Sequence, residues 1–355
     1  MKRALFLFCC ILIPLISNAQ TSTYTISGKI TRANGEAIAG VTVFIDASNL
    51  VTATDDQGNY RFSGLASGTY TLTANIIGYT SGKENVIVND QAGIWSPVLQ
   101  EKSIQLATVN IGKSKNQDEF LKLFRKYFMG DSENAKACKI LNPEVLNFST
   151  NKLSLEATTD DFLLIENVNL GYQLKYLLRK FTCNDATDVT FYEGECLFEP
   201  LKGTAEQQQR WTNNRKKAYV GSMMHYLRAL YVNRTREEGF LTYAMQNFLP
   251  PVMINPNPVA TQQIVRRVDS NFIALTYTKR LYVVYDKKKA EDTPKLSNRD
   301  SEVRELEKMG SILMLNAQID NRGKYSGQQK LLIQGFWGKK RIGDQLPFDY
   351  TPDSN

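Results

Sequence analysis

Few side chains in this sequence could do chemistry, and the single histidine limits what they could do. His225 is the one histidine among 355 residues, whereas a zinc peptidase site needs two histidines and a glutamate. His225 could act as a general base beside Arg228, but no GxSxG motif supplies a nucleophile. No P-loop or GxGxxG motif is present either. We therefore expect no metal and no cofactor, and a hydrolase with its site near His225 and Arg228 is the alternative hypothesis.

The sequence around His225 favours a packed side chain. Gly221 suits the end of one helix and Ser222 suits the N-cap of the next, so His225 falls in the first turn of its helix. A helix dipole disfavours the charged imidazolium at that position. We interpret His225 as a packed histidine that bonds a neighbour, and a ligand-contacting histidine is the alternative.

Three pairs of carboxylates occur close together in the sequence, but neighbours on a helix or strand point apart. A glycosidase needs two carboxyl groups that face each other across the sugar. The pairs are Asp160 with Asp161, Glu237 with Glu238, and Asp300 with Glu302. Carboxylates that are distant in the sequence could still meet, and that alternative stays open.

The stretch TDDQGNYRFSGLASGTYTL at residues 54–72 has the early acidic residues of a calcium loop. An EF-hand loop needs a bidentate glutamate twelve places in, and counting from Asp55 that place is Ala66. We therefore predict that Asp55 begins a tight turn in which Gly58 takes a positive φ.

Residues 1–19 have the pattern of a secretory signal peptide. A basic start precedes an apolar run at residues 5–16, which is too short to cross a bilayer, and a small-residue cleavage site ends at Ala19. A lipoprotein anchored at Cys9 or Cys10 is the alternative. We predict an exported protein of the periplasm or outer membrane, without a transmembrane helix in the mature chain.

Removal of this leader leaves Cys138, Cys183 and Cys196. An odd number allows at most one internal disulfide. A hairpin turn is predicted at residues 184–188, and a symmetric turn there sets Cys183 opposite Val189 and not opposite Cys196. We expect buried free thiols, and whether a disulfide forms stays open.

The formal net charge of +7 is concentrated after Gly112. Basic clusters occur there at residues 215–217, 287–289 and 339–341. The plain interpretation is a solvated surface, and the alternative is contact with an anionic envelope partner such as lipid head groups or glycans. The export signal argues against a nucleic-acid partner.

Residues 24–111 show short strands separated by glycine turns, and this pattern predicts an all-β sandwich. The segment from Ser27 to Tyr79 resembles the carboxypeptidase-regulatory-like domain common in Bacteroidota. The resemblance rests on the motifs AGVTV, TD, GNY, GTY and GY, with Gly28 and Gly35. It implies a seven-stranded, transthyretin-like sandwich and no reaction.

Three aromatic residues of this domain, Tyr60, Tyr79 and Trp95, are candidate contacts for a glycan or protein partner. Core packing is the alternative for each of them.

The remaining sequence predicts an α+β domain with a strand-rich sheet and a helical insertion. Aromatic residues at helical spacing end at Gly130, strands follow over residues 152–201, and two helices are predicted over residues 204–236. A polar surface loop is expected at residues 287–300. The later strands are predicted at residues 240–245, 272–276, 280–285, 312–315 and 331–337.

The predicted organisation is therefore signal peptide 1–19, sandwich 20–112, linker 113–118 and α+β domain 119–355. In the last of these, segments such as NRKKAYVGSMMHYLRALYVN and GFWGKKRIGDQLPFDY resemble Bacteroidota proteins named carboxypeptidase-like regulatory domain-containing. That resemblance implies an architecture and an envelope location, and it transfers no functional residue.

Taken together, these patterns predict a non-catalytic envelope protein of a Bacteroidota-type bacterium. We expect it to bind a glycan or a protein through the sandwich, the C-terminal domain or both. The identity of the partner and a peripheral association with the outer membrane stay open.

Overall fold

In the computed structural model, a β-sandwich (residues 24–99, the sandwich) precedes a strand-rich region with a few helices (residues 116–352, the second region). The predicted leader, half of the predicted linker and most of the predicted polar loop lie outside the described residues. The structure describes residues 23–102, 116–151, 154–246, 253–291, 301–302, 309–313, 317–326 and 332–352.

The sandwich has a three-stranded sheet in the order β5-β1-β8 and a four-stranded sheet in the order β4-β3-β6-β7, with β2 paired to β9 beside them. The predicted all-β sandwich is confirmed. The strands are β1 (Tyr24–Lys29), β2 (Thr31–Arg32), β3 (Thr42–Ile45), β4 (Val51–Ala53), β5 (Asn59–Leu65), β6 (Gly68–Asn75), β7 (Gly82–Val88), β8 (Gly93–Ile94) and β9 (Val98–Leu99).

The two central strands of the four-stranded sheet, β3 and β6, are buried on both faces. Val43 and Leu72 point into the sandwich core, as expected for one face of an alternating strand. On the opposite face Phe44 packs edge-on against Phe162 of the second region, with ring centroids 5.6 Å apart. The second region therefore covers a sheet face that would otherwise meet solvent.

The predicted turn at Asp55 is confirmed. Its carboxylate accepts hydrogen bonds from the backbone N–H groups of Gln57 at 3.0 Å and Asn59 at 2.7 Å. Gly58 has φ 77°, which a residue without Cβ adopts at no steric cost. Asp55 thus stabilises a tight turn by binding the backbone N–H groups of that turn.

The second region begins with a six-stranded antiparallel sheet around the long β14–β15 hairpin. β15 pairs with β14 along one edge. Along the other edge β14 pairs first with β13 and then with β12, and β10 pairs with β13 while β11 pairs with β12. The strands are β10 (Cys138–Ile140), β11 (Leu146–Asn151), β12 (Ser154–Thr159), β13 (Leu163–Asn167), β14 (Tyr172–Asn184) and β15 (Val189–Pro200).

The register of this hairpin corrects one prediction. Cys183 lies opposite Thr190, and Asn184 lies opposite Val189. The turn is one residue shorter than predicted because Asn184 belongs to the last strand pair. Its side chain accepts the N–H of Ala186 in the turn at 3.0 Å. The prediction of free, buried thiols is confirmed for all three described cysteines.

The helices begin and end at local signals. The aromatic helix stops at Gly130 (φ 93°), and Thr204 with Gln207 forms a capping box for α3, an arrangement that bonds two otherwise unpaired N–H groups. The helices are α1 (Gln117–Phe124) with a π-helical turn (Arg125–Met129), α2 (Glu133–Lys136), α3 (Ala205–Tyr219), α4 (Met223–Tyr231), α5 (Thr261–Ile264), α6 (Lys287–Glu291) and α7 (Gly335–Lys339).

Two four-stranded antiparallel sheets, β16-β20-β22-β25 and β18-β19-β23-β24, complete the second region, with β17 paired to β21. Their strands are β16 (Phe240–Ala244), β17 (Met253–Ile254), β18 (Val265–Arg267), β19 (Phe272–Leu275), β20 (Leu281–Tyr285), β21 (Ser301–Glu302), β22 (Met309–Leu313), β23 (Ala317–Asp320), β24 (Tyr325–Ser326) and β25 (Leu332–Gln334).

Two predictions for this part of the chain were wrong. The strand predicted through Trp337 ends early because Gly335 takes φ 65° and starts α7, and the Trp337 indole then donates to the Gly221 carbonyl at 2.8 Å. The predicted polar loop instead starts as α6, in which the Ala290 N–H donates to the Asp286 carbonyl at 3.0 Å and the Ala290 side chain is buried.

The junction between the sandwich and the second region combines backbone hydrogen bonds with buried charges. The Ala47 N–H donates to the Cys196 carbonyl at 2.7 Å. Beside this contact the Glu195 carboxylate is fully buried; it accepts from Arg179 Nε at 2.7 Å and lies 2.8 Å from Lys83 Nζ. A buried carboxylate needs such partners, so the two parts of the chain share one polar interface.

Candidate functional site

His225 lies where its sequence predicted, in the first turn of α4. The Ser222 hydroxyl caps this helix by accepting the His225 backbone N–H at 3.1 Å, and Gly221 takes φ 75° in the connection from α3. The His225 residue is 6% exposed. The local capping signals therefore place the imidazole inside the second region.

Both nitrogens of the His225 ring have internal partners. The Gly221 N–H donates to Nδ1 at 3.2 Å, so the ring proton sits on Nε2 and points at the Glu238 carboxylate, also 3.2 Å away. Tyr219, Phe240 and Tyr285 surround the ring, with centroids 4.8 to 5.9 Å from it. Burial lowers the pKa of His225, although the bond to Glu238 opposes that effect.

Arg228 binds backbone and holds the C-terminal segment in place. Its Nε donates to the Arg322 carbonyl at 3.0 Å, its Nη1 to the Tyr350 carbonyl at 2.7 Å and its Nη2 to the Phe348 carbonyl at 3.0 Å. This use of the planar guanidinium fork explains why an arginine stands here. Arg228 therefore has a packing role between chain segments.

The cysteines lie in surroundings that suppress nucleophilic chemistry. Burial raises the pKa of the Cys138 thiol to about 12 and raises that of Cys196 well above its ordinary value. The thiolate is the reactive form. These thiols therefore remain protonated at neutral pH.

The adjacent carboxylates have separate partners, as predicted for sequence neighbours. Glu237 pairs with Arg234 at 2.5 Å, whereas Glu238 faces His225. Asp300 lies outside the described residues. Among the His, Cys, Asp and Glu side chains that the structure describes, no group of three or more could hold a metal ion.

The three aromatic candidates of the sandwich have different surroundings. Tyr60 is buried in the core, and its hydroxyl donates to the Trp95 carbonyl at 2.7 Å. Gly28 permits this arrangement, since a Cβ there would lie 1.7 Å from the same carbonyl oxygen. Trp95 and Tyr79 are half-buried against the core, and Tyr79 donates to Glu101 at 3.3 Å. Core packing therefore accounts for Tyr60, and Tyr79 and Trp95 keep some exposed surface.

Arginines of two basic clusters are used inside the fold. Arg215 donates to the Leu170 carbonyl at 2.7 Å and covers the Tyr172 ring at 4.1 Å. Arg341 donates to the Tyr127 carbonyl at 2.6 Å. These two arginines therefore support packing, which the runs of basic sequence did not predict.

A cavity of about 540 Å³ lies beside the connection from α4 to β16, and we call it the α4–β16 cavity. Its lining comes from residues 233–237, 240–242 and 258–262. Phe240 lines it and also packs edge-on against His225, so His225 lies behind the cavity wall. No direct signal in the sequence marks this site, because the two main lining segments approach each other only in the folded chain.

The sequence of the sandwich matches a known domain family. Residues 26–111 match the family described as CarboxypepD_reg-like domain. This finding supports the resemblance drawn from the GNY, GTY and GY motifs, and the match ends before the second region begins.

Comparison with curated proteins finds Structural protein 27 of a virus (isolate Australia/Victoria). It is 39% identical to this chain over 71 residues, which are 20% of this chain and 14% of the viral protein. This chain thus spans only a small part of the length of that protein.

Comparison with solved structures finds the streptococcal ancillary pilin, at 15% identity and a TM-score of 0.21, over 23% of this chain and 33% of the pilin. A type II cohesin-X-dockerin complex from Acetivibrio cellulolyticus is similar at 19% identity and a TM-score of 0.21, over 32% of this chain and 79% of the matched chain. Similarity at this level does not define a shared fold.

No described helix has the length and apolar content needed to cross a membrane.

Proposed function

We propose that this chain is a non-catalytic binding protein of the cell envelope of a Bacteroidota-type bacterium. It is exported by residues 1–19, stays in the periplasm or at the outer membrane, and binds a glycan or a protein partner. The CarboxypepD_reg-like match at residues 26–111 is consistent with a binding or structural module.

One observation supports this proposal above the others: the best catalytic candidates are used by the fold itself. The single imidazole has partners on both nitrogens, and the guanidinium of Arg228 binds three backbone carbonyls. A general base needs a lone pair within hydrogen-bond distance of a substrate proton. The Nδ1 lone pair of His225 faces the Gly221 N–H instead.

The test is to measure binding and turnover on the same purified exported protein. A glycan array and affinity capture from an envelope extract measure binding, while peptide and glycoside substrates measure turnover. Retention of a glycan or protein without turnover supports the proposal. Steady turnover that disappears in His225→Gln would establish the hydrolase alternative, and failure to retain any partner would also contradict the binding role.

A further inference from the structure

We infer that the α4–β16 cavity binds a neutral sugar, that is, a hydroxyl-rich ligand without charge. This inference rests on the proposed function and names the class of glycan. The cavity has a volume of about 540 Å³, within the range of roughly 300–1,000 Å³ found for small-molecule sites. Its free polar groups are hydroxyls and amides, whereas its charged groups are bound to other parts of the chain.

Two buried threonines give the cavity unused hydrogen-bonding capacity. The hydroxyls of Thr235 and Thr261 lie 2.8 Å apart, and both residues line the cavity although they are less than a tenth exposed. Only one of the two hydroxyl protons can lie between the oxygens, and within the described part of the chain the other proton has no acceptor. A buried donor without a partner is unfavourable. A sugar hydroxyl, which both accepts and donates, would pair with this proton.

Two side-chain amides of the lining add neutral donors and acceptors. Asn233 and Gln262 line the cavity and are exposed, and neither amide is hydrogen-bonded to another described residue. Each amide offers an NH₂ donor and a carbonyl acceptor side by side. This arrangement matches two neighbouring hydroxyls of a sugar ring, one of which accepts while the other donates.

The charged side chains of the lining already have partners. Arg234 donates through its Nε to Glu237 at 2.5 Å, and this bond together with the charge of Glu238 raises the pKa of Arg234. Arg236 donates to the Ala290 carbonyl at 2.6 Å and makes further contacts. A charged ligand would compete with these partners, whereas a neutral ligand leaves them in place. The lining therefore favours a ligand without charge.

The apolar part of the lining suits one face of a sugar ring. Pro258 and Val259 line the cavity and are half-buried, and the Val259 N–H donates to the Thr242 carbonyl of β16 at 2.7 Å, which fixes this segment. A sugar ring carries C–H groups on its faces and hydroxyls around its edge, so one ligand can meet both the apolar wall and the polar side chains. A short apolar peptide has no pair of adjacent hydroxyls, and it is the competing ligand in the test.

The experiment titrates the purified exported protein with neutral disaccharides of glucose, galactose, mannose and N-acetylglucosamine, and with trialanine as the competing peptide. We expect at least one disaccharide to bind saturably and more tightly than trialanine. Because no charge is bound, its affinity should be the same at about 0.1 M and about 1 M salt, although the screening length falls from about 10 Å to about 3 Å. The corresponding uronic acid disaccharide should bind no more tightly than the neutral one.

Three variants test the polar groups with the disaccharide that binds most tightly. Thr261→Val keeps the shape of the side chain and removes its hydroxyl, so affinity should fall about fivefold, which corresponds to one neutral hydrogen bond. Thr261→Ser keeps the hydroxyl and should retain wild-type affinity. Gln262→Ala should weaken binding by a similar factor to Thr261→Val.

The matched control is Gln263→Ala. Gln263 is the next residue of α5, is also exposed and lies outside the cavity lining, so affinity for the disaccharide should not change. Wild-type affinity in both Thr261→Val and Gln262→Ala would overturn the inference. Tighter binding of trialanine or of the uronic acid, or no saturable binding of any neutral disaccharide, would also overturn it.

The two proposals fail in different ways. If glycans retained on the array bind Thr261→Val and Gln262→Ala as well as they bind the wild-type protein, the α4–β16 cavity is not their site, and the proposed function stands. The same holds if no neutral disaccharide binds but a protein partner is captured from the envelope extract. If the wild-type protein retains no glycan and no protein, both proposals are contradicted.

Discussion

The ammonium group of Lys324 donates a hydrogen bond to the Thr71 hydroxyl at 2.6 Å, across the junction between the sandwich and the second region. Lys324 is 8% exposed. Asp46, whose N–H donates to the Thr71 carbonyl at 2.9 Å, is half-buried beside this contact. Burial raises its pKa, and the charge of Lys324 opposes that shift. The junction thus brings together two ionisable groups of opposite charge, and burial disfavours the charged form of each.

Replacement of Lys324 by methionine should not destabilise the protein at pH 7. Burial lowers the pKa of Lys324, so the ammonium group is less favourable in the folded protein than in water, and a neutral side chain of similar length avoids that cost. The free energy of unfolding in urea measures the change. Lys136→Met is the matched control, since Lys136 pairs with Glu133 in solvent and its removal should leave stability unchanged. A loss of about 3 kcal/mol in Lys324→Met alone would show that the junction depends on the Lys324 charge.

The Lys324 contribution to stability should also depend on pH. Burial lowers its pKa to about 8 from an ordinary value of 10.5, so the unfolded chain holds more protons than the folded protein between these values. Stability due to this group therefore rises with pH across that interval, and its burial cost is present in full at neutral pH. Relative to Lys324→Met, the wild type should gain stability from pH 7 to pH 9.5. A constant difference would contradict the lowered pKa.

Local signals made the α3–α4 connection predictable from the sequence, whereas the contacts at the junction between the sandwich and the second region could not be predicted. Gly221 and Ser222 act on the backbone beside them, so the sequence alone placed His225 in the first turn of a helix. Thr69, Thr71 and Thr73 alternate with apolar residues, a pattern typical of a strand with one solvated face. All three are buried, because residues far along the chain cover them.

The candidate site shows the same limit. The two hydroxyls in the α4–β16 cavity belong to Thr235 and Thr261, which are 26 positions apart. Threonine is common in turns and strands for local reasons, so neither residue is marked by its type or spacing. Only the folded chain brings them within hydrogen-bond distance.

His225 should titrate with a pKa below 6.5, because burial disfavours its charged form. Since it is the one histidine in the sequence, a single imidazole signal in the NMR spectrum reports it without assignment. The unfolded chain then binds a proton at higher pH than the folded protein, so the free energy of unfolding should fall as the pH drops through 6.5. His225→Gln should flatten that part of the stability profile. A measured pKa at or above 6.5 would contradict this account of the buried ring.

Gly171→Ala should cost more stability than Gly35→Ala. Both glycines have positive φ, 69° and 86°, but a Cβ at Gly171 would lie 2.2 Å from the Trp211 ring, whereas one at Gly35 would meet nothing within 4 Å. The backbone penalty of about 1–2 kcal/mol is common to both, and the clash should add about 1–3 kcal/mol. Urea unfolding measures the difference, and equal losses would show that the Trp211 ring can move aside.

Arg228→Met should loosen the C-terminal segment before it unfolds the rest of the protein. The guanidinium binds the carbonyls of Phe348 and Tyr350, and the Phe348 N–H in turn donates to the Ala47 carbonyl of the sandwich at 2.7 Å. Loss of the fork should cost about 2 kcal/mol and should increase hydrogen exchange at the Phe348 amide first.

Arg228→Lys separates geometry from charge in the same experiment. A lysine keeps the positive charge but cannot bind several carbonyls in one plane, so exchange at Phe348 should stay close to that of Arg228→Met. Arg210→Met, on the exposed face of α3, is the control and should leave exchange at Phe348 unchanged. If Arg228→Lys restored full protection, the charge alone would hold the segment, and Arg228 would not act through its three hydrogen bonds.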